Sequence, residues 1–181
     1  MLEDRLIIRE FNRGNRQVLR QAYEKYKQDL MTLATALLYD KNAAEDVVQD
    51  VFVTLIKSAA RFRLTHNLTG YLIACVVNGA RNRNKAGQRH PTMGLDEAAP
   101  AVSTSDSPDS AAIFGEDSHR LAQALAQLPY NQREAVLLHV YSGMKFKVIA
   151  KLCGESVNTV KGRYRYGLDK LRSLLNSEVT K

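Results

Sequence analysis

Apolar residues recur every three or four positions through residues 17–60 and again through 118–175, and no stretch alternates with the period of two that a half-buried strand requires. The chain is therefore expected to be all-α. One stripe holds Ala44, Val47, Val48, Val51 and Leu55, which leaves Glu45, Asp46, Gln49 and Asp50 on the opposite face of the same helix. A second begins with Leu72, Ile73, Cys75 and Val76 and gives way to Asn78, Arg81, Asn82, Arg83 and Lys85. A third is short, with Val148, Ile149 and Leu152 on an apolar face and Ala150 small enough for another helix to cross closely. The last runs through Val160, Tyr164, Gly167, Leu168 and Leu171.

The breaks between stripes fall at polar and conformationally permissive residues. NRGN (12–15) predicts that Gly14 ends a short first helix and Asn15 opens the next. In YDKN (39–42), Asn42 is the expected cap of a helix from Ala43, with Glu45 completing a capping box. That start would also put the acids near the positive end of the helix, where they are favoured. The next helix is expected to begin near Tyr71. Pro129 divides two supporting helices within 121–143, and Arg133 is expected to pair with a carboxylate or carbonyl there. Gly154 suits a turn, and Ser156 is the natural cap of the final helix, with Thr159 at its third position.

Composition divides this helical pattern in two. Residues 91–118 contain no Lys or Arg, six acidic residues and three of the four prolines, which predicts an extended acidic linker between units at 1–90 and 119–181. The rest of the chain is basic, for a net charge of +7 overall. Four basic residues and no acid occupy 80–89, and eight basic residues against two acids occupy 145–172. A pI of about 9.5 suggests a polyanionic partner. No run of ~18 apolar residues is present, so no membrane insertion is expected, and MLEDRLIIRE lacks a secretory pattern. Cys75 and Cys153 read as reduced, buried thiols of a cytoplasmic protein. His66, His90, His119 and His139 lack ligand spacing, so neither a metal nor a cofactor is expected.

The charges select candidate chemistry. Asn158, Thr159, Lys161, Gly162, Arg163 and Arg165 are left facing outward near the start of the last helix, beyond a short turn. A helix-turn-helix presents amide, hydroxyl and cationic groups to a major groove in this way; an ordinary hairpin with a solvated basic face is the plainer alternative. Phe62, Asn67 and Tyr71 precede a helix ending in Asn78, Arg81, Arg83 and Lys85, a mixture that suits unstacked bases and a single-strand backbone. Aromatics such as these two are more often core or interface residues than base-stacking platforms. The strip Glu45, Asp46, Gln49, Asp50 is a solvated face, a Mg²⁺ enzyme site or a docking surface. No acidic pair on a second helix completes a metal site, so no catalytic residue is assigned. An autonomous helix-turn-helix repressor or activator and a protein-only adaptor also remain open.

YDKNAAEDVVQDVFVTL resembles region 2 of the extracytoplasmic-function (ECF) sigma factors, small two-domain members of the sigma-70 family, and YLIACVVNGARNRNK resembles the aromatic, amide and basic pattern that follows it. LPYNQREAVLL with VIAKLCGESVNTVKGR resembles their region 4. The resemblance spans about residues 6–88 and 119–175, in the family's order. It implies a non-catalytic transcription initiation subunit whose partners are core RNA polymerase and promoter DNA, with an anti-sigma factor as a common further partner. It implies that Glu45, Asp46, Gln49 and Asp50 dock on core polymerase. Phe62, Asn67, Tyr71, Asn78, Arg81, Arg83 and Lys85 would serve the −10 element, and Asn158, Thr159, Lys161, Arg163 and Arg165 the −35 element. The linker would thread toward the polymerase RNA channel. The sequence departs from the family pattern at Tyr71, Asn82, Val148, Glu155 and Tyr166.

Overall fold

The computed structural model describes residues 2–13, 15, 17–58, 63, 67–89 and 116–177. The expected linker falls almost wholly outside these residues, as do Gly14 and Phe62. Among the described residues every regular element is a helix. They divide into two compact units, one within Met1–Leu95 and one within Asp96–Lys181.

The first unit contains α1 (Leu2–Asn12), α2 (Gln17–Leu38), α3 (Lys41–Ser58) and α4 (Leu68–Arg89). The central helix is α2, which packs against the other three, while α3 also packs against α4. Its Leu30, Leu33, Ala34 and Leu37 are buried, and so is the α3 stripe of Ala44, Val47, Val48, Val51 and Leu55, as the spacing predicts. Leu72, Val76, Val77 and Ala80 of α4 and Ile7, Ile8 and Phe11 of α1 complete this core. Each fully buried leucine contributes roughly 2 kcal/mol through loss of apolar hydration.

The helix starts are set by side-chain caps. Asn15 Oδ1 accepts from the Gln17 amide at 3.0 Å, as expected. At α3 the expectation fails: Asp40 Oδ1, not Asn42, accepts from the Ala43 amide at 3.0 Å, and the helix opens at Lys41. Tyr39, left-handed at φ 54°, turns the chain between α2 and this cap. Glu45 consequently lies in the second turn, beyond the region where the helix dipole acts strongly. The start of α4 also moves, from near Tyr71 to Leu68, because Asn67 Oδ1 accepts from the Gly70 amide at 2.8 Å.

The second unit contains α5 (Glu116–Ala126), α6 (Tyr130–Val136), α7 (Phe146–Cys153) and α8 (Val157–Ser177). Pro129 separates α5 from α6, and α6 runs on through a π turn at Leu137–Tyr141. Along its length α8 packs against α5, α6 and α7. Leu138, Ile149, Ala150, Val160 and Leu171 lie in the shared core. Arg133 is buried and structural, donating from Nη1 toward the Ala126 and Leu128 carbonyls at 3.4 and 3.5 Å. Its neighbour Glu134, also buried, accepts from Cys153 Sγ at 3.6 Å. The π turn brings His139 onto Phe146, stacked at 4.0 Å, with its Nδ1–H donating to the Met144 carbonyl at 2.8 Å.

Candidate nucleic-acid interface and acidic docking face

The helix-turn-helix is built by two capping motifs in succession. Gly154 ends α7 in the left-handed conformation, φ 66°. The Glu155 amide then donates to the Ala150 carbonyl at 3.0 Å and the Gly154 amide to that of Lys151 at 3.4 Å, the paired bonds of a Schellman turn. Immediately afterwards Ser156 Oγ accepts from the Thr159 amide at 3.0 Å and opens α8. Within three residues the chain has closed one helix and started the next, which fixes the geometry of the turn. Both the permissive glycine and the serine cap are as the sequence predicts.

The outward face of α8 is narrower than expected. Asn158, Lys161 and Arg165 are exposed along one side, spaced for a groove. Thr159 and Arg163 lie on the flank that looks back to the turn. The Thr159 hydroxyl is 2.8 Å from Ser156 Oγ, and Arg163 Nη2 donates to Glu155 Oε1 at 2.7 Å. Arg165 lies over the ring of the exposed Tyr166, 5.2 Å from its centroid. On α7 the face expected from Val148 is corrected. This residue is 51% exposed, because the helix turns Ile149 and Ala150 into the core instead.

In the first unit Glu45, Asp46, Gln49 and Asp50 are all exposed along α3. The same side continues into Val53 and Ile56, 44% and 50% exposed, so the acidic strip runs into an apolar one. These two residues escaped the sequence reading, although their spacing of four and seven from Gln49 is the available signal. On α4, Asn78, Arg83 and Lys85 are exposed, whereas Arg81 and Tyr71 are half-buried. Asn67 spends its side-chain oxygen as the cap of α4. Arg83 Nη2 donates to Asp46 Oδ2 at 3.0 Å, joining the acidic strip to the basic end of α4. Cys75 is half-buried and its thiol is pushed above its ordinary pKa by burial. Among the described residues no three His, Cys, Asp or Glu side chains converge on a cation site, and no helix is long and apolar enough to cross a membrane.

Residues 22–90, from within α2 through α4, match the family described as Sigma-70 region 2, and residues 118–171, spanning α5 through most of α8, match Sigma-70, region 4. The chain belongs to the sigma-70 family. It is of the ECF type. Relatives include the RNA polymerase sigma-H factor of Pseudomonas aeruginosa, 25% identical over 179 residues and 93% of each chain. The ECF RNA polymerase sigma factor SigM of Mycobacterium tuberculosis is 26% identical over 162 residues, 90% of this chain and 79% of the relative. Two solved structures share the fold. CnrH, in complex with the cytosolic domain of CnrY, superposes with a TM-score of 0.68 at 22% identity, covering 97% of this chain and 98% of CnrH. The sigma factor RpoE of Bartonella quintana, in complex with the anti-sigma factor NepR, gives 0.64 at 24% identity, covering 87% and 96%. Two sigma-70 regions in series disfavour the autonomous-regulator alternative. Sigma region 2 thus carries the acidic strip and sigma region 4 the helix-turn-helix.

Proposed function

We propose that this ECF-type sigma factor directs core RNA polymerase to its promoters by dividing the work between its two units. Region 2 docks on core polymerase through Glu45, Asp46, Gln49 and Asp50, with Val53 and Ile56 supplying apolar contact beside them. A polar rim with an apolar centre is the usual make-up of a specific protein interface. The basic end of α4, with Asn78, Arg81, Arg83 and Lys85, follows the strand opened at the −10 element, and Phe62, Asn67 and Tyr71 serve the same element. Region 4 holds the −35 duplex through Asn158, Thr159, Lys161, Arg163 and Arg165. The protein acts in the cytoplasm, without catalysis or a cofactor of its own, and an anti-sigma factor is a fitting regulator.

Duplex readout positions the complex while capture of unstacked bases draws the melting equilibrium forward. Unstacking costs a few kcal/mol per step. Binding of the open strand offsets that cost without fuel. The observation that carries this reading is the acidic strip of α3: four exposed polar side chains on a chain of net charge +7, placed past the helix's first turn where capping gives no reason for them. A protein partner gives such a strip, continued by exposed Val53 and Ile56, a common rationale that a solvated acidic face does not.

In vitro transcription with core polymerase tests it. Wild type is expected to direct promoter-specific initiation, and the double substitution Glu45→Lys/Asp50→Lys to reduce it at least tenfold by weakening core binding. Absence of specific initiation by wild type overturns the function. Full activity of the charge-reversed variant removes the docking assignment alone.

A further inference from the structure

We infer that Glu155 is a positioning residue for promoter readout: it holds Arg163 by one edge, so that the guanidinium serves as a directional base-edge donor instead of a phosphate-seeking cation. The inference rests on α8 reading duplex DNA, as proposed above.

The geometry comes from the turn. Glu155 is the single residue between the left-handed Gly154 and the capping Ser156. Its own amide is bonded to the Ala150 carbonyl at 3.0 Å. The backbone is therefore fixed on both sides, and the origin of its side chain with it. From there Oε1 reaches Arg163 Nη2, eight residues away in sequence, at 2.7 Å. The Arg163 side chain is 26% exposed and that of Glu155 35%. Lys161 and Arg165, by contrast, stand exposed on the outer side of the helix.

Two physical consequences follow. A guanidinium has five N–H donors in a rigid fork, so an edge held by a carboxylate leaves others aimed in a fixed direction. A paired arginine also carries little net charge toward a phosphate, and its contact releases fewer counterions. Lys161 and Arg165 are left to supply sequence-independent attraction. Arg163 is left to supply discrimination, for which the acceptor pair on the major-groove edge of guanine is the matching partner. Glu155 lowers general affinity and raises selectivity, effects of opposite sign that a merely structural residue does not produce.

The test uses holoenzyme assembled from the full-length protein and core polymerase, selecting from a library of duplex promoters randomised in the −35 segment. Wild type, Glu155→Gln and Arg163→Gln are compared, and each is also titrated against random-sequence duplex across a salt series. Wild type is expected to enrich guanine at one position, and Arg163→Gln to lose that preference. Glu155→Gln, nearly identical in shape, is expected to weaken the preference at that position about tenfold, within the range of one bidentate base contact. The same variant is expected to bind random duplex more tightly, with a salt slope steeper by about 0.9 for one further phosphate contact. Parallel changes in specific and random binding, or no change in either, overturn the inference. So does an enriched sequence that survives Arg163→Gln, and then the sigma reading stands. If wild-type holoenzyme enriches nothing, the region 4 reading and this inference fall together.

Discussion

Asp4 ties α1 to the rest of the first unit through two groups of α2 at once. It accepts from Lys25 Nζ at 2.9 Å and from the buried Tyr26 hydroxyl, which also bonds Thr69 at the start of α4. The hydrogen bond from Tyr26, and then that from Lys25, hold the Asp4 carboxyl below its ordinary 3.8. Burial, reinforced by Asp4, lifts the Tyr26 phenol above its ordinary 10.0. A carboxyl with a depressed pKa adds stability that is complete above its unfolded value and disappears as pH falls through the folded one. Thermal melts followed by circular dichroism should show Asp4→Asn less stable than wild type at neutral pH, with the gap closing below about pH 3.8. A gap that persists in acid would assign the loss to packing instead. The Asp46–Arg83 pair behaves differently, because both side chains are well exposed at 59% and 40%. Solvent screening limits such a pair to ~0.2–1 kcal/mol. A double-mutant cycle with Asp46→Asn and Arg83→Gln should therefore give a coupling below about 1 kcal/mol in stability. Any larger loss of transcription in Asp46→Asn then belongs to core docking or to Arg83 at the −10 strand, not to unfolding.

Among the helices of region 4, α8 packs tightly on α6 at a position where it lacks a side chain. A Cβ added at Gly167 would lie 2.9 Å from Val136 Cγ2, 3.2 Å from the Gln132 carbonyl oxygen and 3.2 Å from Leu128 Cδ2. The backbone oxygen cannot move aside as a side chain can. Overpacking costs ~1–3 kcal/mol, and the better helix propensity of alanine returns ~1 kcal/mol at most. Gly167→Ala should therefore lower stability by a net of up to ~2 kcal/mol in chemical denaturation; a stabilised variant would show that the two helices separate freely. The apolar stripes were legible in the sequence because each helix presents one face to a core, and the α3 stripe is buried residue for residue. Helix starts were less legible. Asp40 and Asn42 are both competent caps, and the capping-box pattern favoured the wrong one. At α4 the amide of Asn67 was read as a nucleic-acid contact, although an amide before an apolar run is equally the signature of a cap. Val148 misled because α7 has only eight residues, too few for periodicity to fix which way its face points. The Glu155–Arg163 pair crosses a turn, and no helical period links residues eight apart through a change of direction.

Over the whole molecule the proposed core docking and duplex reading fall to different units, while the basic end of α4 shares the first unit with the acidic strip. The docking candidates belong to the unit within Met1–Leu95, and the duplex-reading candidates to the one within Asp96–Lys181. Residues that share no contact network act additively, usually to within ~0.5 kcal/mol. Two measurements separate the units: binding of the protein to core polymerase, and binding of assembled holoenzyme to promoter duplex. Asp50→Lys should weaken the first and leave the second unchanged once holoenzyme is saturated. Lys161→Ala should leave the first unchanged and weaken the second nearly uniformly across sequences, with a salt slope shallower by about 0.9 for one lost phosphate contact. The double variant should show the sum of the two free-energy losses in transcription at limiting sigma concentration. A loss that departs from the sum by more than ~1 kcal/mol would mean that core docking and duplex readout are coupled, and the division of labour would have to be abandoned. Additivity, in contrast, would identify the acidic strip as an independent attachment surface. The net charge of +7 would then have one consistent cause: the surfaces that meet DNA are cationic, and the one surface that must avoid DNA and meet protein is not.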